Sequence, residues 1–328
     1  MRETKKRLAL FMIIAMALAL TVPNKMTVNA AETTTGSNWM AGVDGEKTLS
    51  NITIPGTHDS CTQHVPLGFI FQCQNEDIST QLEDGCRYLD IRAAISEKDN
   101  EPALVMVHNF AKCKKGPWPW SKKLYLNEVV DDVYAFLEQN PTETVIFNVK
   151  AENGDDDIST LQQLLYEKID ENGDKWYTAN EIPTLNQVRG KIVLATRFED
   201  KIGVGESRRG LNFAWEGQGG KDIVEEPAAV SAINDNANLW VQDRYKYSTE
   251  DKINAVVEVL ENCQANENTF SVNFTSTSGT KYAGRPKKYA GEINRYLKEY
   301  DWQQDANYGI VVVDFMDADL AGCIYSTN

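Results

Sequence analysis

Three histidines, His58, His64 and His108, occur in 328 residues, and two of them end short runs rich in β-branched side chains. His58 closes Asn51-Ile52-Thr53-Ile54-Pro55-Gly56-Thr57, and His108 closes Ala103-Leu104-Val105-Met106-Val107. Imidazole titrates near pH ~6.5, so such a pair can take a proton from an attacking hydroxyl and give one to a leaving oxygen. A third run carries Arg92, where a guanidinium would stabilise charge on the nonbridging oxygens of a phosphoryl group. The base also wants a carboxylate behind it to fix its tautomer, and Asp314 ends another run. The other run ends carry Lys150 with Glu152 beyond, Arg197, Asp243 with Tyr245, and Asn273 with Thr275. His64 follows no run, sits between cysteines, and reads as structural.

Eight runs must position these groups: 51–54, 88–95, 103–108, 144–149, 191–197, 239–245, 269–275 and 309–315. Most are rich in Val and Ile, as strands buried on both faces should be. Amphipathic stretches at 77–84, 124–139, 157–171, 249–263 and 285–300 predict intervening helices, with Asp157 and Ser248 or Thr249 as starts. The alternation predicts an α/β fold, a single-domain TIM (β/α)₈ barrel whose reacting groups lie at the carboxyl ends of its strands. Residues 197–239 hold many glycines and no convincing helix, so the barrel should be distorted. An open doubly wound sheet is the alternative, but it usually carries a Gly-rich phosphate turn, which is absent here.

The formal charge of −15, with 33 basic against 48 acidic residues, argues against nucleic acid as a partner. Residues 1–30 read as a secretory signal peptide: Arg2, Lys5, Lys6 and Arg7 precede an apolar run, and small residues end at Ala30. Their removal deletes five basic residues and one acidic one, leaving a secreted, extracellular chain near −19. Six cysteines in such a chain permit up to three disulfides, with no C-x-x-C pair to suggest zinc or redox chemistry. Asp170, Asn172, Asp174, Thr178 and Glu181 have EF-hand-like spacing, but Lys175 stands where glycine is required, so a solvated acidic loop is expected.

The runs Ile54-Pro55-Gly56-Thr57-His58-Asp59-Ser60, Arg87-Tyr88-Leu89-Asp90-Ile91-Arg92 and Val107-His108, followed by Ile182-Pro183-Thr184-Leu185 and Val188-Arg189-Gly190-Lys191-Ile192-Val193-Leu194, resemble the bacterial phosphatidylinositol-specific phospholipase C family. The resemblance extends from about Trp39 to the C-terminus. It implies a distorted TIM barrel that cleaves phosphatidylinositol to diacylglycerol and inositol 1,2-cyclic phosphate, which water then opens slowly. By position, His58 matches the general base, Asp314 its supporting carboxylate, and His108 the general acid with Asp59 as partner. Arg92 matches the phosphate-binding arginine, oriented by Asp90. Lys150, Arg197, Asp243 and Tyr245 match the inositol-binding shell. Eukaryotic relatives carry a calcium-binding carboxylate where Arg92 stands, so the resemblance implies a metal-independent enzyme with no cofactor.

Trp118 and Trp120 alternate with Pro117 and Pro119 in a loop flanked by Lys112, Lys114, Lys115, Lys122 and Lys123. As a strand-to-helix connection the loop should share the barrel face of the strand ends, and its indoles suit a phosphatidylinositol-containing membrane surface. GPI-anchored proteins are further candidate substrates, and a monomer is expected. A glycerophosphodiester phosphodiesterase is the nearest alternative, but it would want acidic metal ligands near the first histidine. A glycosidase using Asp90 and Glu152 would leave both histidines without a role. A noncatalytic lipid- or glycan-binding relative would have no need of His58, His108, Arg92 and Asp314 together.

Overall fold

Period-two alternation along the strands decides which side chains enter the barrel and which meet the helices outside. Residues 35–152, 157–219, 228–280 and 285–328 are described by a computed structural model. The expected signal peptide, Asp155, Asp156 and Gly220 lie outside the described residues. The strands are β1 (Ile54–Thr57), β2 (Tyr88–Lys98), β3 (Glu101–His108), β4 (Ala111–Lys112), β5 (Val145–Ala151), β6 (Trp176–Tyr177), β7 (Ile192–Thr196), β8 (Leu211–Asn212), β9 (Ala229–Asn234), β10 (Ala237–Gln242), β11 (Thr269–Phe274) and β12 (Ile310–Val313). The helices are α1 (Gly68–Phe71), α2 (Ile78–Glu83), α3 (Leu126–Gln139), α4 (Ile158–Asp170), α5 (Leu185–Val188), α6 (Thr249–Glu261), α7 (Pro286–Glu299) and α8 (Ala318–Tyr325).

Hydrogen-bonded neighbours run β6, β7, β5, β2, β1, β12, β11, β10, β9, with β8 beside β7. The ladders from β7 through β10 are parallel, and β9 lies antiparallel on β10. Between β8 and β9, side chains replace the ladder: Asn212 Nδ2 donates to Ala232 O at 3.1 Å and Ser231 Oγ to Ala214 O at 2.8 Å. The buried Asn180 amide adds bonds to both sides, donating to Ile233 O and accepting from Asn212 N. This is the expected distorted barrel, and its distortion is a seam stitched by side chains.

Register sets the depth of each inward-facing group. Gly56, Tyr88, Ile146, Val193 and Val312 occupy one level, paired strand to strand. Gly56 is required there, because a Cβ would meet Tyr88 Cβ at 2.9 Å. Two residues on, Asp90 pairs with Asn148, and two further, Arg92 with Lys150. The interior therefore turns from apolar to ionic toward the carboxyl ends of the strands. Outward-facing Leu89, Ile91 and Phe147 pack with α3 and α4, and Val311 and Val313 with α6, α7 and α8.

Three sequence expectations need correction. The run at 103–108 is β3, which pairs antiparallel with β2 and is not a barrel strand. Only Asp99 and Asn100 separate the two strands, both at positive φ as a tight hairpin turn requires, whereas a parallel crossover needs a dozen residues or more. The first strand starts at Ile54, not at 51, because Asn51 N is taken by Thr48 O in a turn. The six cysteines are all free thiols, so the structure contains no disulfide among them. Cys61 and Cys113 lie in the core beneath α3 and α4, Cys86 lies beneath α7 and α8, and Cys73 is buried near the barrel mouth.

Candidate active site

The segment after β1 is held by a fully bonded hydroxyl. Ser60 Oγ donates to Thr57 O at 2.9 Å and accepts from Thr57 Oγ1 and Asp90 N, each at 2.8 Å. This tie turns the chain so sharply that Asp59 adopts φ 44°, a left-handed conformation rare outside glycine. Gln74 clamps the neighbouring strand end by donating to both His58 O and Val313 O at 2.8 Å. His58 and Asp314 are thereby brought side by side, with His58 Nδ1 2.7 Å from Asp314 Oδ1. With Nδ1–H directed at that carboxylate, Nε2 carries the lone pair, and it lies 3.1 Å from Arg92 Nη2.

Arg92 is enclosed by carboxylates: Nε is 2.7 Å from Asp59 Oδ1, Nη2 donates to Asp90 Oδ2 at 2.9 Å, and Nη1 approaches Glu152 Oε2 at 3.4 Å. Burial would lower the pKa of this guanidinium, but the three carboxylates outweigh it and hold the group firmly charged. Burial likewise opposes ionisation of Asp59, yet Arg92, His108 and His58 keep its carboxyl well below the ordinary range. His108, delivered by the hairpin strand β3, places Nδ1 3.2 Å from Asp59 Oδ2 and 2.8 Å from Phe71 O. The two imidazole rings stand 6.4 Å apart, with Asp59 contacting both. Such an arrangement can remove a proton on one side of a bound phosphodiester and supply one on the other.

A cleft of 640 Å³ opens above this floor, lined by His58, Arg92, His108, Lys150, Arg197, Asp243, Tyr245 and Asp314, with Asp59 buried beneath. All nine site residues read from the sequence thus meet at one place. Lys150 Nζ donates to Glu152 Oε2 at 2.7 Å; burial, Arg92 and Arg197 together push its pKa down. Burial also lowers the Arg197 pKa, against the pull of Asp243 at 4.0 Å. Asn273 is not part of the cleft: its amide bonds Gln242 and Val256 O on α6. The acidic loop at 170–181 is likewise remote, with Asp170 paired to Arg208 and β6 running through it.

A sequence model of the phosphatidylinositol-specific phospholipase C X domain matches residues 49–198, which hold both histidines and Arg92. The chain is 29% identical over 299 residues to a 1-phosphatidylinositol phosphodiesterase of Staphylococcus aureus (strain Newman), covering 85% of this chain and 88% of that one. It is 25% identical over 321 residues to the 1-phosphatidylinositol phosphodiesterase of Listeria monocytogenes serovar 1/2a, covering 93% and 88%. A solved S. aureus phosphatidylinositol-specific phospholipase C, described in connection with modulation of its membrane binding, superposes with a TM-score of 0.69 at 25% identity over 90% of this chain and 98% of that one. In sequence and in fold the chain is similar to these phosphatidylinositol-specific phospholipases C.

Within this barrel, sequence reasoning overlooked several residues of the cleft. Glu152, noted beyond Lys150 at its run end and given a role only in the glycosidase alternative, joins Arg92 to Lys150 across the mouth. Trp215 stacks beneath Arg197, whose guanidinium carbon lies 3.4 Å from the ring centroid, and its indole donates to Asp243 Oδ2 at 3.1 Å. Neither lies on a strand, so no periodicity marked them; Glu152 shares the inward parity of Lys150 and could have been read from it. Tyr245 rests against the backbone of Gly219, where a Cβ would fall 2.0 Å from the ring.

The rim was missed as well. Phe71 meets His108 and Phe110 edge-on at 5.3 and 5.1 Å, while Leu67, Phe69 and Phe110 are exposed by 53%, 70% and 68%. Trp118 and Trp120 are also exposed and stack at 5.5 Å, but neither lines the cleft. Their loop follows β4, which is bonded antiparallel to β3, so the expectation of a barrel strand-to-helix connection does not hold.

Proposed function

We propose that this chain is a secreted phosphatidylinositol-specific phospholipase C that releases diacylglycerol and inositol 1,2-cyclic phosphate. The observation that carries the reading is the convergence of His58, backed by Asp314, and His108, backed by Asp59, around the Arg92 guanidinium in one cleft. The relatives named above are phosphatidylinositol phosphodiesterases. His58 Nε2 takes the proton of the inositol 2-hydroxyl as it attacks phosphorus. His108, acting with Asp59, protonates the departing diacylglycerol oxygen, and Arg92 stabilises the nonbridging oxygens. Hydrolysis of the cyclic product then runs the two imidazoles in reverse. Lys150, Arg197 and Asp243 bind inositol hydroxyls, and Tyr245 offers its ring as a stacking face. Arg92 supplies the positive charge itself, so turnover needs no metal.

The exposed Leu67 and Phe69, next in sequence to the cleft-lining Ile70 and Phe71, and Phe110 against Phe71, favour docking of this side of the mouth on a lipid surface, with Trp118 and Trp120 as a second interfacial contact. Phosphatidylinositol glycans on anchored proteins would reach the same cleft, and the enzyme works as a monomer. Incubation with phosphatidylinositol in chelator, followed by phosphorus NMR, tests the reading. Inositol 1,2-cyclic phosphate should appear first; phosphatidic acid, or a reaction restored only by calcium, would overturn it.

A further inference from the structure

We propose that the floor of the cleft also binds a thiophilic divalent cation of the zinc class, held by Cys73, Asp59, His58 and His108, and that this cation switches the enzyme off. Proton transfer to and from a phosphodiester needs no thiol, yet Cys73 Sγ sits fully buried against the reacting groups. It lies 3.8 Å from Asp59 Oδ2 and 3.7 Å from His108 Nδ1. The same carboxylate oxygen is 3.2 Å from His108 Nδ1 and 3.4 Å from His58 Nε2. The ligand atoms of His58, Asp59 and Cys73 all fall within 4.8 Å of one another. Tetrahedral zinc, with bonds of roughly 2.0–2.3 Å, separates its ligands by roughly 3.3–3.7 Å. His58, Asp59 and Cys73 therefore offer three corners of a tetrahedron, and His108 Nδ1 must leave Phe71 O, 2.8 Å away, to supply the fourth.

The donor set selects the metal. One sulfur, two imidazole nitrogens and one carboxylate oxygen suit zinc, cadmium or cobalt, whereas calcium and magnesium want shells of oxygen. Burial and the Asp314 and Asp59 carboxylates raise the Cys73 thiol well above its ordinary range. Binding takes a thiolate and neutral imidazoles: it breaks the S–H bond, forms a metal–sulfur bond and releases that proton, with any carried by His58, to solvent. His58 and Asp59 after β1, Asp90 and Arg92 on β2, His108 ending β3, Lys150 on β5 with Glu152 after it, and Asp314 after β12 are charged and titratable groups facing the site. Arg92 opposes the cation and must give up its 3.1 Å contact with His58 Nε2; Asp59, Asp90 and Asp314 favour it.

The inhibition, unlike the binding, rests on the reading of His58 and His108 as base and acid. Cobalt(II) titrated into the full-length protein should give a thiolate-to-metal charge-transfer band. That band should vanish in Cys73→Ser and Cys73→Val, each checked for native circular dichroism, and persist in Cys113→Ser. Zinc should inhibit phosphatidylinositol cleavage, and Cys73→Ser should need at least tenfold more zinc for half-inhibition of its own rate. A band that survives both Cys73 substitutions, or no band at all, overturns the site. A Cys73-dependent band without loss of turnover overturns the inhibition and the acid–base reading while leaving the site standing.

Discussion

Burial alone would depress the His58 imidazole, yet Asp59, Asp314 and the hydrogen bond to Asp314 outweigh it and raise the pKa to about 9, with Arg92 working against them. A base must be neutral to act, so kcat/KM should climb with pH toward that value. Asp314→Asn removes one of the raising charges. The acid limb should then move to lower pH while kcat/KM falls by about 10²-fold or more, as the tautomer and imidazolium lose support. A limb that stays in place would separate Asp314 from His58. The same shift bears on stability. A raised folded-state pKa stabilises fully below the ordinary value of 6.5, and that contribution is lost as pH rises through about 9. The urea midpoint of wild type relative to His58→Gln should shrink over this window. At this scale the site was legible because polar side chains at strand ends interrupt apolar runs. Cys73, Phe71 and Trp215 sit in loops or a single helical turn, where no such contrast exists.

The run Arg87-Tyr88-Leu89-Asp90-Ile91-Arg92 shows how one strand divides its labour. Arg92 reaches the cleft, whereas Arg87 is fully buried before the strand begins. Its guanidinium bonds Glu143 Oε2 at 2.8 and 3.0 Å and the carbonyls of Leu82, Cys86, Gly36 and Ser37, and lies 4.6 Å over Phe136. Glu143→Gln leaves this charge buried without its counter-ion and should cost about 3–5 kcal/mol in denaturant unfolding, with KM unchanged in the folded fraction. Gly56→Ala should cost about 1–3 kcal/mol by crowding Tyr88. Long strands and helices could be read from periodicity, and the expected starts Asp157 and Ser248 do cap α4 and α6, as Asp77 caps α2. β8 was illegible because two residues define no period, and β3 reads as a barrel strand because alternation carries no direction; only the two-residue turn Asp99-Asn100 makes it antiparallel.

An acidic chain that takes an anionic substrate must gather its cations locally. Arg92, Lys150, Arg197 and Lys246 line the mouth beside Glu152, Asp243 and Asp314, so the cleft is not uniformly negative despite the formal charge of −15. Beyond it the apolar rim faces outward. Phe69→Ala with Phe110→Ala should lower activity on phosphatidylinositol vesicles by about tenfold while sparing a soluble inositol phosphodiester. Trp118→Ala with Trp120→Ala should do the same if that loop is a second contact, and equal losses on both substrates would place either pair in the cleft. The central claim is the division of labour between the two histidines, and leaving-group dependence tests it most directly. With phosphatidylinositol, His58→Ala and His108→Ala should each lose about 10²- to 10⁴-fold in rate. With a p-nitrophenyl inositol phosphate, whose leaving group needs no proton, His108→Ala should recover most of its rate and His58→Ala should not. Equal losses of both variants on both substrates would contradict the assignment of base and acid.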